Sequence, residues 1–254
     1  VSLKAESLQP RPAALTAQAL TFRYPEAPQD VLRDVHFALQ PGERVAIIGA
    51  NGSGKSTLIK LLAGLYETCS GSLDIDGQRI CATDPAELRS RTAVLLQDAS
   101  AFELTLRKNL QLGHATPPDD SVLWQALDLV GLGERVRGLP QGLDSPWSRR
   151  LQGGVDWSTG EARRIVLART LSRRADVLLL DEPFASLDGK TAASIATHLT
   201  NLPRTHTMVL VDHRGPALRC VDRVIWLREG RVVFAGTPEQ LTDQPGFEVQ
   251  FPEW

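Results

Sequence analysis

Nine residues near position 50 have the composition of a phosphate-binding loop. The stretch "GANGSGKST", from Gly49 to Thr57, fits the pattern G-x-x-x-x-G-K-[ST] and lies between a strand pattern, "RVAIIG", and a helical pattern, "STLIKLLAGLY". Its glycines let the backbone point N–H groups at phosphate oxygens, and the following helix adds the positive end of its dipole. Lys55 would reach the β- and γ-phosphates, and Ser56 would ligate Mg²⁺. The alternative is an ordinary glycine turn between a strand and a helix.

Two acidic residues at the end of another apolar run supply carboxylates that this loop lacks. The run "VLLLDEP" predicts a buried strand that ends at Asp181. A carboxylate there can hold Mg²⁺ through water, and Glu182 would point toward the γ-phosphate and orient the attacking water. Alone, the pair could merely cap the following turn. Together with Gly49–Thr57, it predicts a Mg²⁺-dependent nucleoside triphosphatase.

The segments around these residues predict an α/β protein. The start of the chain, residues 1–17, is rich in Pro and Ala and predicts a linker or arm. "ALTFRY" and "VLRDVHFAL" alternate as short antiparallel strands do, and "RVIWLREGRVVFAGTP" predicts a hairpin. "DVLLLDEP" and "HTMVLVDH" are continuous apolar runs that suit a central parallel sheet buried on both faces. The stretch from about residue 98 to 150 has mainly helical patterning.

The composition excludes several classes of protein. With 254 residues and 42% hydrophobic content, the chain is long enough for one large domain or two small ones. A net charge of −2 argues against a nucleic-acid surface, which needs clustered Lys and Arg. The apolar runs are too short to span a bilayer. Three scattered cysteines, Cys69, Cys81 and Cys220, are typical of reduced thiols in a cytosolic setting.

The order of these motifs resembles the nucleotide-binding domain of ATP-binding cassette (ABC) transporters over essentially the whole chain after the arm. The resemblance implies a P-loop NTPase (RecA-like) core with an antiparallel β-subdomain, together residues 18–254, and an inserted helical subdomain at about residues 98–171. It implies ATP and Mg²⁺ as ligands and ATP hydrolysis as the activity. The implied partners are a second ABC ATPase domain and the transmembrane domain of a transporter, with no nucleic acid.

Four further residues match positions of that family. Tyr24 matches the aromatic that stacks on adenine, and Gln97 matches the glutamine that links metal and nucleotide to the membrane partner. Asp188, in Ser186-Leu187-Asp188, matches the loop that reaches across the dimer, and His213 matches the switch histidine at the γ-phosphate. Taken singly, these could be a strand aromatic, a surface amide, a turn cap and a satisfied histidine. Their order along the chain, around Lys55 and Asp181, favours the functional interpretation.

The family signature, Leu-Ser-Gly-Gly-Gln, is altered here. Alignment by "EARRIVLARTL" places it at Trp157–Glu161, so the earlier Gly153-Gly154 pair is not the signature. Ser158 and Gly160 are kept, and Ser158-x-x-Glu161 predicts a capping box at a helix start that remains an anion site for the other subunit's ATP. If the position of Thr159 needs a positive φ or a close backbone approach, the β-branched side chain would cost about 1 kcal/mol or more. The alternative is a capped helix without a ligand.

The predicted site residues follow from the loop, the acidic pair and the resemblance together. The catalytic residues are Lys55, Glu182 and His213, and the metal ligands are Ser56, Gln97 and Asp181. The predicted nucleotide-binding residues are Tyr24, Gly49, Asn51, Gly52, Ser53, Gly54, Lys55, Ser56, Thr57, Gln97, Ser158, Gly160 and Asp188.

The stretch after Gln97 indicates the transporter subtype. "QDASAFELTLRKNL" resembles the exporter pattern with Phe102, Thr105 and Asn109 at fixed offsets, and "GLPQGLD" resembles another exporter stretch. Pro183 and "SPWSRRLQGG" depart from the exporter pattern. We therefore expect an exporter ATPase, and the alternatives are an importer ATPase subunit, a soluble ABC ATPase or a nucleotide-binding regulator with weak turnover.

The unequal state of the motifs favours a heterodimer. An intact phosphate loop beside an altered signature would pair best with a partner whose signature is intact, although a homodimer stays open. We expect the chain to be a separate subunit or, given its linker-like start, part of a longer half-transporter. It would sit at the cytoplasmic face of an inner or plasma membrane, and the isolated domain would be soluble.

Overall fold

The computed structural model describes residues 11–68, 70–80, 83–148, 150, 152–212 and 215–247. Two sheets form its framework. A four-stranded antiparallel sheet has the order β2-β1-β4-β5, and a six-stranded sheet has the order β10-β9-β3-β8-β7-β6. The strands are β1 (Leu15–Phe22), β2 (Leu32–Leu39), β3 (Arg44–Ile48), β4 (Ser70–Ile75), β5 (Gln78–Arg79), β6 (Thr92–Leu95), β7 (Val177–Asp181), β8 (Thr207–Val211), β9 (Arg223–Arg228) and β10 (Arg231–Gly236).

The six-stranded sheet is parallel except for its edge strand β10. Every residue of β3, β7 and β8 is buried, which agrees with continuous apolar runs covered on both faces. The prediction of a central parallel sheet from "DVLLLDEP" and "HTMVLVDH" is therefore confirmed. The hairpin of β9 and β10 is also confirmed, and it turns at Glu229 and Gly230 as the sequence predicts.

Helices cover the sheets and connect their strands. They are α1 (Lys55–Leu62), α2 (Pro85–Arg91), α3 (Leu106–Gln111), α4 (Asp120–Leu129), α5 (Gly133–Arg137), α6 (Thr159–Leu171), α7 (Gly189–Asn201), α8 (Gly215–Leu218) and α9 (Pro238–Thr242), with a 3-10 turn at Gly142–Asp144. The helices α3 to α6 all follow β6 and precede β7, inside the stretch 98–171. They share a buried cluster that continues onto residues of β6 and β7, and the subdomain boundaries themselves stay a prediction.

The predicted arm extends too far into the chain. Strand β1 begins at Leu15, and Leu15, Thr16 and Ala17 pair with β2. Leu15 and Ala17 are buried, so the ladder and the core decide the structure of a stretch whose composition indicates a loop. The first ten residues lie outside the described part of the chain. Within the described residues, no helix has both the length and the apolar character that crossing a membrane requires.

Candidate active site

The glycine loop joins β3 to α1 at the carboxyl end of the parallel strands. A Cβ at Gly49 would lie 2.2 Å from the carbonyl oxygen of Leu227, so the backbone approach there requires glycine. Gly54 caps α1 with a φ of +103°, a conformation that other residues rarely adopt. Asn51 and Gly52 are exposed at the tip of the loop, while Ser53 is buried. The backbone thus forms an open turn at the start of a helix, which suits a phosphate group.

Lys55 is the first residue of α1, and its side chain is buried over the loop. Its Nζ donates to the carbonyl oxygens of Gly49 and Ala50, each at 2.9 Å. Burial lowers the pKa of Lys55, while the nearby carboxylates of Glu182 and Asp181 act in the opposite direction. The ammonium group is therefore held at the loop by carbonyls and can exchange them for phosphate oxygens.

Ser56 and Asp181 meet across the gap between α1 and β7. The Ser56 Oγ donates to Asp181 Oδ1 at 3.2 Å, and Asp181 is buried at the end of its strand. Burial raises the pKa of Asp181 above its usual range. A hydroxyl and a carboxylate this close are hard oxygen donors of the type that Mg²⁺ prefers, so the pair fits that ion.

Glu182 follows Asp181 in a strained backbone conformation. Its φ is +50°, a left-handed value that costs a non-glycine residue about 1–3 kcal/mol and clusters at functional sites. Its N–H donates to the carbonyl oxygen of Val211 at 2.8 Å, which ties it to the end of β8. Gln97 Nε2 donates to Glu182 Oε2 at 3.2 Å. Glu182 and Gln97 therefore lie side by side at the carboxyl end of the parallel strands, where β7 ends with Asp181.

Arg163 on α6 connects this edge to the helix that carries the signature. Its guanidinium donates to the carbonyl oxygens of Leu96 and Gln97 at 3.2 and 3.0 Å, and to those of Asp181 and Glu182 at 3.0 and 3.1 Å. The sequence reasoning did not single out Arg163. Nothing in "EARRIV" separates it from Arg164, which donates to two carbonyls at the end of α4 instead.

Tyr24 lies beside α1, and its predicted stacking on adenine stays a prediction. Its hydroxyl is 3.1 Å from Thr57 Oγ1, and its ring packs edge-on against Phe22 and Tyr66 with centroids 4.9 and 5.2 Å away. Tyr66 is exposed and was missed by the sequence reasoning. The two tyrosines and Phe22 form an aromatic patch next to the phosphate loop.

The signature forms the start of α6, with Ser158 as its N-cap. The predicted capping box is present: Glu161 N donates to Ser158 Oγ, and Glu161 Oε2 accepts from Ser158 N at 3.0 Å. Thr159 is the first helical residue and is not among the residues with positive φ, so the backbone conformation that would make its β-branched side chain costly is absent there. A Cβ at Gly160 would lie 3.2 Å from Ser186 O, so close packing falls on the glycine that is kept.

Of the two remaining family positions, the structure describes Asp188 but not His213. Asp188 is the N-cap of α7 and accepts from Thr191 N at 3.0 Å, so the cap and the predicted dimer contact are compatible roles. It follows Ser186, whose φ is +62° and whose carbonyl packs on Gly160. The signature and the Asp188 loop therefore form one continuous surface. His213 lies outside the described residues.

Known proteins with similar sequences are ABC transporters, the family that the site residues resemble. A family model described as ABC transporter matches residues 32–185. The ATP-binding cassette sub-family B member 6 of Xenopus tropicalis is 32% identical over 240 residues, which cover 94% of this chain and 28% of that protein. The mycobactin import ATP-binding/permease protein IrtB of Mycolicibacterium thermoresistibile is 36% identical over 229 residues, which cover 90% of this chain and 39% of that protein.

A solved structure extends the likeness to the whole fold. The structure of a bacterial Atm1-family ABC exporter with ATP bound superposes with a TM-score of 0.85 at 27% sequence identity. The match covers 98% of this chain and 43% of that chain. The chain thus spans less than half the length of each of these relatives.

Proposed function

The chain is an ATPase domain of the ABC transporter family, and we propose that it powers the export of a substrate across a membrane through ATP-driven pairing of two such domains. The observation that carries the proposal is the cluster at the end of β7. There Ser56 Oγ lies 3.2 Å from Asp181 Oδ1, and Gln97 Nε2 lies 3.2 Å from Glu182 Oε2. The exporter direction is supported by the Atm1-family structure, whereas the mycobactin relative has import in its name.

Each part of the site has a role in the proposed hydrolysis. The N–H groups of Gly49–Ser56 and the Lys55 ammonium bind the β- and γ-phosphates, and the Tyr24 ring stacks on adenine. Ser56, Asp181 and Gln97 would hold Mg²⁺, which supplies positive charge to the triphosphate when bound. Glu182 orients the water that attacks the γ-phosphorus and accepts a proton from it, so that ADP leaves. His213, outside the described residues, would act at the γ-phosphate by its match to the switch histidine of the family.

A second ATPase domain completes the site in this proposal. Ser158 and Gly160 at the start of α6, with Asp188 beside them, face the γ-phosphate of an ATP held by the other domain. ATP then favours the paired state because only that state contacts the γ-phosphate from both sides. Two copies of this chain can form such a pair, with the modified signature in both sites. A heterodimer, which the altered signature favours, would combine the intact phosphate loop of this chain with an intact signature of the partner in one site and place the modified signature in the other.

The transmembrane partner is proposed to dock on the surface formed by residues that follow Gln97 in the chain. Phe102 is 53% exposed there, and Leu104 is exposed too. The Arg169 guanidinium lies 5.9 Å from the centre of the Phe102 ring. A neighbouring cavity of about 470 Å³ is lined by Glu103, Trp147, Ser148, Arg150, Asp156 and Trp157. An exposed aromatic beside a cavity suits a partner that buries it, which would hold the domain at the cytoplasmic face of a membrane.

Replacing Glu182 tests the proposal. In Glu182→Gln, ATP should bind as in the parent, phosphate release should fall by about 100-fold or more, and the paired form should accumulate with MgATP. Titration calorimetry measures ATP binding, a phosphate-release assay measures hydrolysis, and light scattering measures pairing. Glu87→Gln, at an exposed position of α2, is the control and should change neither. Loss of nucleotide binding in Glu182→Gln, or full hydrolysis, would overturn the assigned role.

A further inference from the structure

One arginine contacts the first and the last side chain of the altered signature. Arg135, on α5, places its Nε 2.7 Å from Glu161 Oε1. The same guanidinium lies 5.2 Å from the centre of the Trp157 ring. Trp157 and Glu161 stand where the family signature has leucine and glutamine. A single cation from a different helix thus contacts the first and the last of the three replaced positions, the third being Thr159.

Glu161 has its carboxylate fully occupied. While Oε1 meets Arg135, Oε2 accepts from the N–H and from the Oγ of Ser158, each at 3.0 Å. The side chain is 16% exposed, so the charge sits close to the helix start rather than in open solvent. The helix dipole favours one anion there, but an incoming phosphate would meet a like charge. Without a counterion, Glu161 would therefore oppose the γ-phosphate that a signature has to bind.

We propose that Arg135 is a positioning residue for the ATP of the opposite domain. By pairing with Glu161, it cancels the carboxylate charge and keeps the altered helix start able to accept a γ-phosphate. This role rests on the proposed pairing of two ATPase domains. On this proposal, the altered signature of this chain needs Arg135, a residue outside the signature, in order to bind the γ-phosphate.

Trp157 holds the guanidinium in place. Its ring lies under the Arg135 guanidinium and also packs against Trp147, with the two indole centroids 5.8 Å apart and the planes inclined by 30°. A planar guanidinium can lie over an indole and direct a donor at a carboxylate at the same time, which an ammonium group does less well. The replacement of leucine by tryptophan therefore belongs to the same arrangement as the replacement of glutamine by glutamate.

The chain contains a matched control two residues away. Arg137, on the same helix, pairs with Asp128 at 2.7 Å and lies 4.9 Å from the centre of the Trp124 ring. Its side chain is 42% exposed, against 44% for Arg135. Arg137 thus makes the same two kinds of contact at nearly the same exposure, but Asp128 and Trp124 are on α4, and its further ion-pair partner, Glu134, is on α5, so none of them belongs to the signature.

The test is a double-mutant cycle in the Glu182→Gln chain. The ATP concentration at half-maximal pairing is measured by light scattering, with Mg²⁺ present, for Arg135→Gln, Glu161→Gln, the double variant and Arg137→Gln. Arg135→Gln should raise this concentration by roughly fivefold or more. In the Glu161→Gln background the same change should have less than about a twofold effect, because no charge is left to cancel. Arg137→Gln should cause no shift.

The outcomes separate the inference from the function on which it rests. Equal effects of Arg135→Gln in both backgrounds, or no effect in either, would overturn the role of Arg135. A purely structural role would lower the melting temperature of Arg135→Gln and Arg137→Gln alike and would not be rescued by Glu161→Gln. If the Glu182→Gln chain binds ATP but forms no pairs at saturating MgATP, two copies of this chain do not pair, and the inference on Arg135, which is measured in that pair, fails.

Discussion

The phosphate-loop half and the signature half of the molecule are built in different ways. The loop half, Gly49–Ser56 with Asp181 and Glu182, is defined by the main chain: fully buried strands β3 and β7 carry it, and positive-φ glycines shape it. The signature half, Trp157–Glu161, is defined by side chains at a partly exposed helix start. A site shaped by the main chain tolerates few residue types. A site formed by side chains can keep its function with different residues, provided that they restore its hydrogen bonds and its charge balance.

The two halves also obtain their positive charge differently. The loop half has Lys55 within its own motif, held by two carbonyls 2.9 Å away. The signature half relies on Arg135, from another helix, to offset Glu161. The loop half should therefore respond to changes inside its motif, and the signature half to changes outside it.

The largest expected effect breaks the loop half at its cation. Lys55→Ala should weaken ATP binding by about 100-fold or more, since it removes the only side-chain cation of the loop motif beside a triphosphate. Titration calorimetry with MgATP measures the loss. Lys60→Ala, on the same helix away from the loop, is the control and should bind as the parent does. Tight binding by Lys55→Ala would show that the loop half is not the main phosphate site.

The next effect concerns the residue that joins the halves. Arg163→Lys keeps a charge but cannot reach four carbonyls, so Gln97 and Glu182 should lose their alignment. We expect phosphate release to slow by roughly 10- to 100-fold with ATP affinity unchanged. Arg164→Lys, whose parent residue bonds only to the end of α4, should keep most of the rate. Equal losses in the two variants would mean that Arg163 merely holds the helix.

A smaller effect separates the base from the phosphates. Tyr24→Ala should weaken ATP binding by about tenfold, as expected for the loss of one stacked base. Binding of inorganic tripolyphosphate, which has no base, should not change. Competition against a fluorescent nucleotide measures both ligands. Weakened binding of tripolyphosphate would indicate instead that the Tyr24 hydroxyl supports α1 through Thr57.

The sequence predicts the loop half well because its groups are close together in the chain. A glycine pattern between a strand and a helix determines where Lys55 and Ser56 lie, and a buried strand that ends in Asp181 determines the opposite carboxylate. The capping box at Ser158 could also be predicted from the sequence, because its two partners are three residues apart.

The contacts that the sequence did not reveal join distant segments. Arg163 meets residues more than sixty positions away, and Arg135 meets Glu161 across two helices. Tertiary packing selects one arginine from several on the same helix, and no local pattern marks the choice. The start of β1 at Leu15 was missed for a related reason: its pairing with β2 outweighs a composition that is typical of loops.

The smallest effect concerns the cost of keeping a buried carboxylate in the loop half. Burial raises the pKa of Asp181, so the folded chain holds a proton more tightly than the unfolded chain, and stability falls as pH rises through that raised pKa. Asp181→Asn should therefore raise the melting temperature of the nucleotide-free chain at neutral pH by about 2 °C, and the gain should vanish below pH of about 4.

Asp222 provides a control of opposite sign for that measurement. Hydrogen bonding to Arg204 lowers the pKa of Asp222, so its charge stabilises the fold above its ordinary pKa and the contribution is lost as pH falls through the lowered value. Asp222→Asn should accordingly melt at a lower temperature than the parent at neutral pH. If both variants shift in the same direction, burial is not the reason for the behaviour of Asp181.

Mixing two disabled chains tests most directly whether the halves of different molecules form one site. Lys55→Ala lacks the loop half, and Ser158→Glu places a like charge at the exposed cap of the signature half. Each variant alone should release phosphate only at background level. Their mixture should regain hydrolysis, because a mixed pair combines the loop of one copy with the signature of the other. A mixture that stays at the sum of its components, or a Ser158→Glu chain that is active by itself, would contradict the account.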